Sequence, residues 1–299
     1  MKNDFVYYIS VILIEILNAL PRWLAIRVAG FIGEVWYLIG SRDKNIAHEQ
    51  MEFVLDLSDK TLKAHARANF EIMIKNLVDI IRMKNWTAEY IGSIVEIEGL
   101  ENFDREYNKG KGIIALTGHI GNFELMAAWF GAYKGYKVSV IGREMYDKRF
   151  DERLITQRDK YNVQNIPTTS SIKAILKALH DGHALGVLND QDSRRVSGYF
   201  IDFFGRKAIT AAGPMYIARK TGSPVVPVAI YRKPDDKYII RVLPALDLEW
   251  TDNKEQDIQN ALEKCNKAIE KLIMFDPLQW VWMHNRWRTR PPDENRDMA

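Results

Sequence analysis

The sequence predicts an α/β fold, with a mostly parallel (mixed) central sheet flanked by helices and an N-terminal helical membrane anchor in front of it. Three observations carry this prediction. From residue 94 onward, short apolar runs alternate with stretches of helical periodicity, the pattern of strands joined by helical crossovers. The last two runs are linked by YRKPDDKY, a turn-rich connection that reads as a hairpin and makes the sheet mixed. The apolar runs at 5–20 and 23–40 carry only Glu15, Arg27 and Glu34 as charges.

Taken in order, FVYYISVILIEILNAL is short for a straight span, which needs about 20 apolar residues. It lacks a small-residue cleavage site behind a basic start, which makes it a poor secretory signal. Pro21 ends or kinks its helix. In WLAIRVAGFIGEVWYLIG, Arg27 and Glu34 share one face, while Trp23, Leu24, Phe31, Val35, Trp36 and Leu38 cover much of the rest. The two runs are expected to form an anchor, as one tilted span or a shallow helical hairpin; a pair of core helices is the alternative. Arg42 and Lys44 follow where anionic headgroups of a cytoplasmic leaflet would attract them. From Ser58 a long helix is expected, with Ser58 as N-cap and Leu62, Phe70, Met73, Leu77 and Ile81 as its apolar stripe. Strands are expected at 94–99, 112–118, 137–142, 184–189, 224–230 and 238–244, and helices at about 121–134, 147–161, 170–181, 210–221 and 253–275. The organisation is an anchor (1–44), a helical lead-in (45–90) and a catalytic-sized domain (91–299).

Composition narrows the function. With 47% apolar residues the chain buries a substantial core, and a net charge of +3 is too small to demand a nucleic-acid partner. The lone Cys265 excludes an intrachain disulfide, lies at core spacing in a helical stretch, and has no partners for a structural zinc site.

Ligands bind beyond the carboxyl ends of the strands in such a sheet, and LTGHIGNFELM (116–126) lies at one of them. Gly118 and Gly121 bracket His119, Asn122 suits a helix cap, and Glu124 falls in the first turn. The Glu124 carboxylate is expected to reach one ring nitrogen of His119 and leave the other facing the cleft, the arrangement of a general base. A dipole-favoured first-turn glutamate beside a structural histidine is the alternative. No serine, threonine or cysteine beside the pair suggests a covalent intermediate, and G-x-S-x-G, H-E-x-x-H and the phosphate-binding G-x-x-x-x-G-K-[ST] are all absent. His48, His65, His180, His183 and His284 read as structural. Arg143 ends the next strand on the same edge, where a guanidinium can hold a phosphate bidentately. Asp190, Gln191 and Asp192 follow another strand, and FFGRKAIT places an apolar pair beside Arg206 and Lys207, which suits an amphiphile with an anionic head.

Together these segments resemble the lysophospholipid acyltransferase superfamily, and within it the bacterial lipid A biosynthesis acyltransferases that add secondary acyl chains, often lauroyl or myristoyl. The superfamily mark is His, four residues, then an acid, here His119 and Glu124. The likeness continues through GREMYD, LITQRDKYNV with Arg158, NDQDSRRVSGYFIDFFGRKAIT, ARKTGSPVVPVAIYR and PLQWVWMHNRWRTRP. It implies a glycerolipid-acyltransferase-like fold and a single-displacement transfer, in which His119, oriented by Glu124, deprotonates an acceptor hydroxyl that attacks a thioester. It further implies acyl carrier protein as donor, met by a basic surface of Lys148, Arg149 and Arg153, and a lipid A precursor as acceptor. Arg158 or helix-start amides near Gly121 would stabilise the oxyanion, Arg143 and Arg206 would hold acceptor phosphates, and Asp192 would brace the site. No metal or organic cofactor is needed. The setting it implies is the inner membrane, with the active site facing the cytoplasm. Another phospho- or glycolipid acceptor, and a hydrolase using the same dyad on water, stay open.

Overall fold

The computed structural model describes residues 2–192 and 197–292, with side chains from Asp4 onward. Residues 193–196 of the NDQDSRRVSGYF block and the end of the expected catalytic domain, 293–299, lie outside the described residues. The chain begins with helices α1 (Lys2–Ala19), α2 (Arg22–Ile39), α3 (Ser41–Leu55), α4 (Asp59–Arg82) and α5 (Ala88–Ile94). Then come β1 (Val95–Glu98), α6 (Leu100–Tyr107), β2 (Ile113–Thr117), α7 (Phe123–Ala128), β3 (Val138–Gly142), α8 (Lys148–Lys160), β4 (Val163–Pro167), α9 (Ile172–His180) and β5 (Ala184–Leu188). The last elements are β6 (Gly198–Phe203), β7 (Arg206–Ala211), α10 (Gly213–Thr221), β8 (Val225–Arg232), β9 (Tyr238–Val242) and α11 (Lys254–Phe275).

Seven strands form one sheet in the order β1-β9-β8-β2-β5-β3-β4. Only the β8–β9 pair is antiparallel, so the sheet is mainly parallel with one hairpin, as expected. Three strands escaped the sequence reading. β4 carries a polar VQNIP sequence that lacks an apolar run. β6 and β7 pair as a separate antiparallel hairpin, in a region expected to be a turn followed by a helix from 210; that helix begins at Gly213. Their turn places Phe204 (φ 53°) and Gly205 (φ 82°) in the left-handed region. That is a two-residue hairpin turn, disguised because phenylalanine stands at a position that asparagine or glycine normally fills.

Both faces of the sheet are covered, which is why its strands read as continuous apolar runs; all eight residues of β8 are buried. On one face Leu116, Leu185, Ala229 and Tyr231 pack with Leu262, Cys265 and Ile269 of α11 and with Trp280 and Trp282. On the other, Ile113, Val228 and Ile230 pack with Phe103, Leu125 and Phe130. Cys265 lies 3.4 Å from the Met215 sulfur, and burial pushes its thiol up to about 12, so it fills the core as read.

The N-terminal helices are joined to this body. Ala25, Ala29 and Gly33 recur every four residues on the buried side of α2. A Cβ on Gly33 would stand 2.6 Å from the Glu71 Cα of α4, so the small-residue face sets how closely the two helices approach. Arg22 then reaches the fully buried Asp79 at 2.7 Å, and Arg232 reaches the same carboxylate at 2.8 Å. Burial alone would raise the Asp79 pKa; the two guanidiniums overcome it and hold it below the usual carboxylate range. Ser58 occupies the N-cap of α4, but its hydroxyl pairs with Thr61 and caps no amide. Among the described residues no single helix is long and apolar enough to cross a membrane; α2 and α3 pass together in length and composition but meet at 90°.

Candidate active site

Strands β2 and β5 are parallel neighbours with Thr117 opposite Leu188, so the turn after β2 lies beside the turn after β5. This brings His119 and Asp190 together. Asp190 Oδ1 accepts from His119 Nδ1 at 2.8 Å, and Oδ2 accepts from the His119 amide at 2.8 Å. The indole N–H of Trp280 donates to the same Oδ2 at 2.8 Å. Gly118 leaves room for this, since a Cβ there would meet Asp190 Oδ2 at 3.0 Å. Gly121 is required outright: its φ is +60°, and a Cβ would come within 1.9 Å of the Ile230 carbonyl. Asp190 is completely buried; burial opposes its ionisation, but the His119 ring and amide and the Trp280 N–H prevail and hold its pKa at about 2.

The histidine's partner therefore differs from the sequence expectation. Asn122 caps α7 as read, accepting from the Leu125 amide at 3.0 Å, and Glu124 stands in the first turn. From there its carboxylate turns to Arg158 of α8, which donates Nε to Oε2 at 3.0 Å and Nη2 to Oε1 at 2.5 Å. A bidentate guanidinium outcompetes an imidazole for a carboxylate, and Asp190 already occupies His119 Nδ1. With Nδ1 donating to Asp190, His119 Nε2 has no protein partner among the described residues, and the ring is stacked edge-on with Phe123 at 5.4 Å. Arg158 also donates Nη1 to Asn165 Oδ1 at 2.5 Å, so three of its five N–H groups are engaged among the described residues.

His119, Glu124, Arg158 and Arg143 line one cavity of about 470 Å³. From this polar end the cavity runs along the sheet over Thr117 and Ala115 of β2, and Gly186 and Ala184 of β5, toward Phe103 and Phe130. Small residues on the strand face leave this volume beneath α7. Phe123 also lines it, whereas Trp129, Phe200 and Phe203 are not among the lining residues. The Thr117 hydroxyl donates to the Gly118 carbonyl and does not join His119.

The remaining expected residues divide. Asp192 is buried, accepts from the Thr289 amide at 2.7 Å and from Arg288 at 3.2 Å, and so ties the C-terminal segment to the turn after β5. Arg206 is not among the cavity-lining residues; it begins β7 of the separate hairpin, and its guanidinium lies 3.9 Å over the Phe53 ring of α3. Arg149 pairs with Asp147 at 2.6 Å and with Asp4 of α1 at 3.0 Å, and Arg153 is 4.0 Å from Glu15. The sequence reading missed the His119 partner Asp190 and the donor Trp280. Both lay in blocks it had singled out, but the strand order that brings 119, 190 and 280 together has no local signature.

The chain matches the model of the family described as bacterial lipid A biosynthesis acyltransferase over residues 1–289. It is similar to the lipid A biosynthesis lauroyltransferase of Escherichia coli K12, 26% identical over 278 residues, 91% of this chain and 88% of that protein. The lipid A biosynthesis palmitoleoyltransferase of the same organism is 25% identical over 76% of this chain and 72% of its own. A phosphatidylinositol mannoside acyltransferase of Mycolicibacterium smegmatis is 21% identical over 69% of this chain and 66% of its own. Among solved structures, the 1-acyl-sn-glycerophosphate acyltransferase PlsC of Thermotoga maritima aligns with a TM-score of 0.40 and 14% identity, over 83% of this chain and 95% of that one.

Proposed function

Because the chain belongs to the bacterial lipid A biosynthesis acyltransferase family and is an acyltransferase, we propose that it moves a fatty acyl chain from an acyl carrier protein thioester to a hydroxyl of a lipid A precursor. The observation that carries the mechanism is His119, with Nδ1 held by a buried carboxylate and Nε2 without a protein partner among the described residues, at the polar end of an apolar cavity. Nε2 takes the proton of the acceptor hydroxyl, and the oxygen attacks the thioester carbonyl. Asp190 fixes the tautomer and stabilises the imidazolium. The C–S bond then breaks, and the departing thiolate takes the proton back from His119.

The two N–H groups of Arg158 left after its bonds to Glu124 and Asn165 supply oxyanion donors beside the cavity, and the Glu124 pairing aims them. Arg143, exposed at the end of β3, meets an acceptor phosphate. Asp192 braces the C-terminal segment. The acyl chain lies along Thr117, Ala115 and Ala184, within a volume in the usual range for ligand pockets, about 300–1,000 Å³. Phe5, Ile12, Trp23, Phe31 and Leu38 leave an exposed apolar surface on α1 and α2, which supports seating on a membrane; in this reading the membrane is the inner one and the site faces the cytoplasm.

Incubation of labelled acyl carrier protein thioester with and without the lipid A precursor tests this reading. Label moves to the lipid only when acceptor is present. Release of free acid at the same rate without acceptor would mean a hydrolase.

A further inference from the structure

We propose that Trp280 is a positioning residue of the transfer site, its indole N–H aiming the Asp190 carboxylate that orients His119. This rests on the reading of His119 as the general base. Among the described residues Asp190 Oδ2 has two donors, the His119 amide and the Trp280 indole, each at 2.8 Å. The first belongs to the residue being oriented, so it cannot fix the carboxylate independently of the histidine. Trp280 is the donor that comes from elsewhere, and it is itself immobilised. Its side chain is 1% exposed and packs on Trp282 at 4.7 Å and Phe203 at 5.8 Å. Its carbonyl accepts from Asn69 of α4 at 2.7 Å.

The same segment also grips the histidine turn through the backbone. Ile120 bridges Trp280, and the Gly121 amide donates to the Gln279 carbonyl at 2.9 Å. Residues 279–280 thus hold the base from both sides, through its own turn and through its carboxylate. Further charged or titratable groups around this pair are Asp192 from the turn after β5, His284, Arg286 and Arg288 from the C-terminal segment, and Glu124 and Arg158 across the cavity. None of these donates to Asp190 among the described residues.

Site-specific replacement of Trp280 by benzothienylalanine, which has sulfur in place of the N–H at nearly constant shape, tests the role. A charge-assisted hydrogen bond lost from a buried carboxylate predicts a fall in kcat of about 10- to 100-fold, with the KM for the acyl donor unchanged. The carboxylate left with one donor fewer holds the imidazolium proton more tightly, so the acid limb of the pH–rate profile moves to higher pH. Trp280→Phe moves that limb in the same direction.

The same replacement at Trp282, whose indole donates to the Pro277 carbonyl at 2.6 Å, leaves kcat and the limb at their wild-type values. Wild-type kcat and an unmoved limb in the Trp280 variant would overturn the proposal, as would an equal loss at Trp282. Asp190→Asn separates the two levels. If it too is fully active, the base assignment fails; if it is crippled while the Trp280 variant is not, Trp280 alone loses its role.

Discussion

Replacing Ala184 by leucine should shorten the acyl chain the enzyme prefers. Leu188, Gly186 and Ala184 stand opposite Thr117, Ala115 and Ile113 in the β2–β5 register, and Leu188, Gly186 and Ala184 all line the cavity. Ala184 thus lies four residues, about 13 Å, below the catalytic edge, at roughly 3.3 Å per residue. A leucine there adds three carbons to the deep end and displaces about as many from a bound chain. Each methylene kept out of the cavity forfeits ~0.8 kcal/mol. Three amount to ~2.4 kcal/mol, about 60-fold in kcat/KM. The assay compares donors of graded chain length within one variant, which cancels any loss from altered folding. The longest accepted donor should fall about 60-fold relative to one shorter by three or four carbons, and Ala115→Leu, nearer the edge, should exclude shorter chains still. Unchanged donor ratios in a folded Ala184→Leu enzyme would refute the placement of the chain.

Arg158→Met leaves the buried Glu124 carboxylate unpaired and should cost ~3 kcal/mol of stability in urea denaturation, with a coupling to Glu124→Gln above ~1 kcal/mol; additive losses would mean that the pair contributes nothing. His48, His183 and His284 are each pushed below the ordinary histidine range by burial. The unfolded chain therefore takes up their protons first, and stability falls as pH drops below about 6.5. Asp79 and Asp190 have depressed pKa values, so their contribution persists above the unfolded carboxylate range, about 3.9, and is lost as pH falls further. Thermal melts from pH 8 to 3 should show both declines, and a flat profile between pH 7 and 5 would contradict the first. Phe5→Asp combined with Ile12→Asp removes two exposed apolar side chains from α1 and should weaken flotation with anionic vesicles by at least about 100-fold; unchanged flotation would remove α1 from the membrane contact.

The sheet was legible because its inner strands are buried on both faces and stand out as apolar runs between amphipathic helices. The hairpin β8–β9 announced itself through YRKPDDKY. What stayed hidden was whatever depends on strand order or unusual turn chemistry. Phe204 at positive φ concealed β6–β7, and the polar edge strand β4 lacked a signal. At the site, the His119–Glu124 spacing located both residues correctly beside one cavity but misassigned the contact, because five residues of sequence separation are visible in the chain and the parallel β2–β5 neighbourhood is not. Asp190, 71 residues away, wins the imidazole because β5 delivers it there, while α8 brings Arg158 to claim Glu124. Arg143 directly follows β3 and Asp192 lies in the turn after β5, positions that the apolar runs before them made visible. Arg206 was drawn away by a hairpin that the reading had taken for a turn.

The central claim is that a carboxylate from β5, Asp190, holds the catalytic base. The most direct measurement is kcat of Asp190→Asn under saturating acyl donor and acceptor, with folding verified by thermal melt. The account predicts a loss of about 10²- to 10⁴-fold, the range of a general base deprived of its function, with little change in the KM for the donor. A folded Asp190→Asn enzyme turning over at the wild-type rate would contradict it.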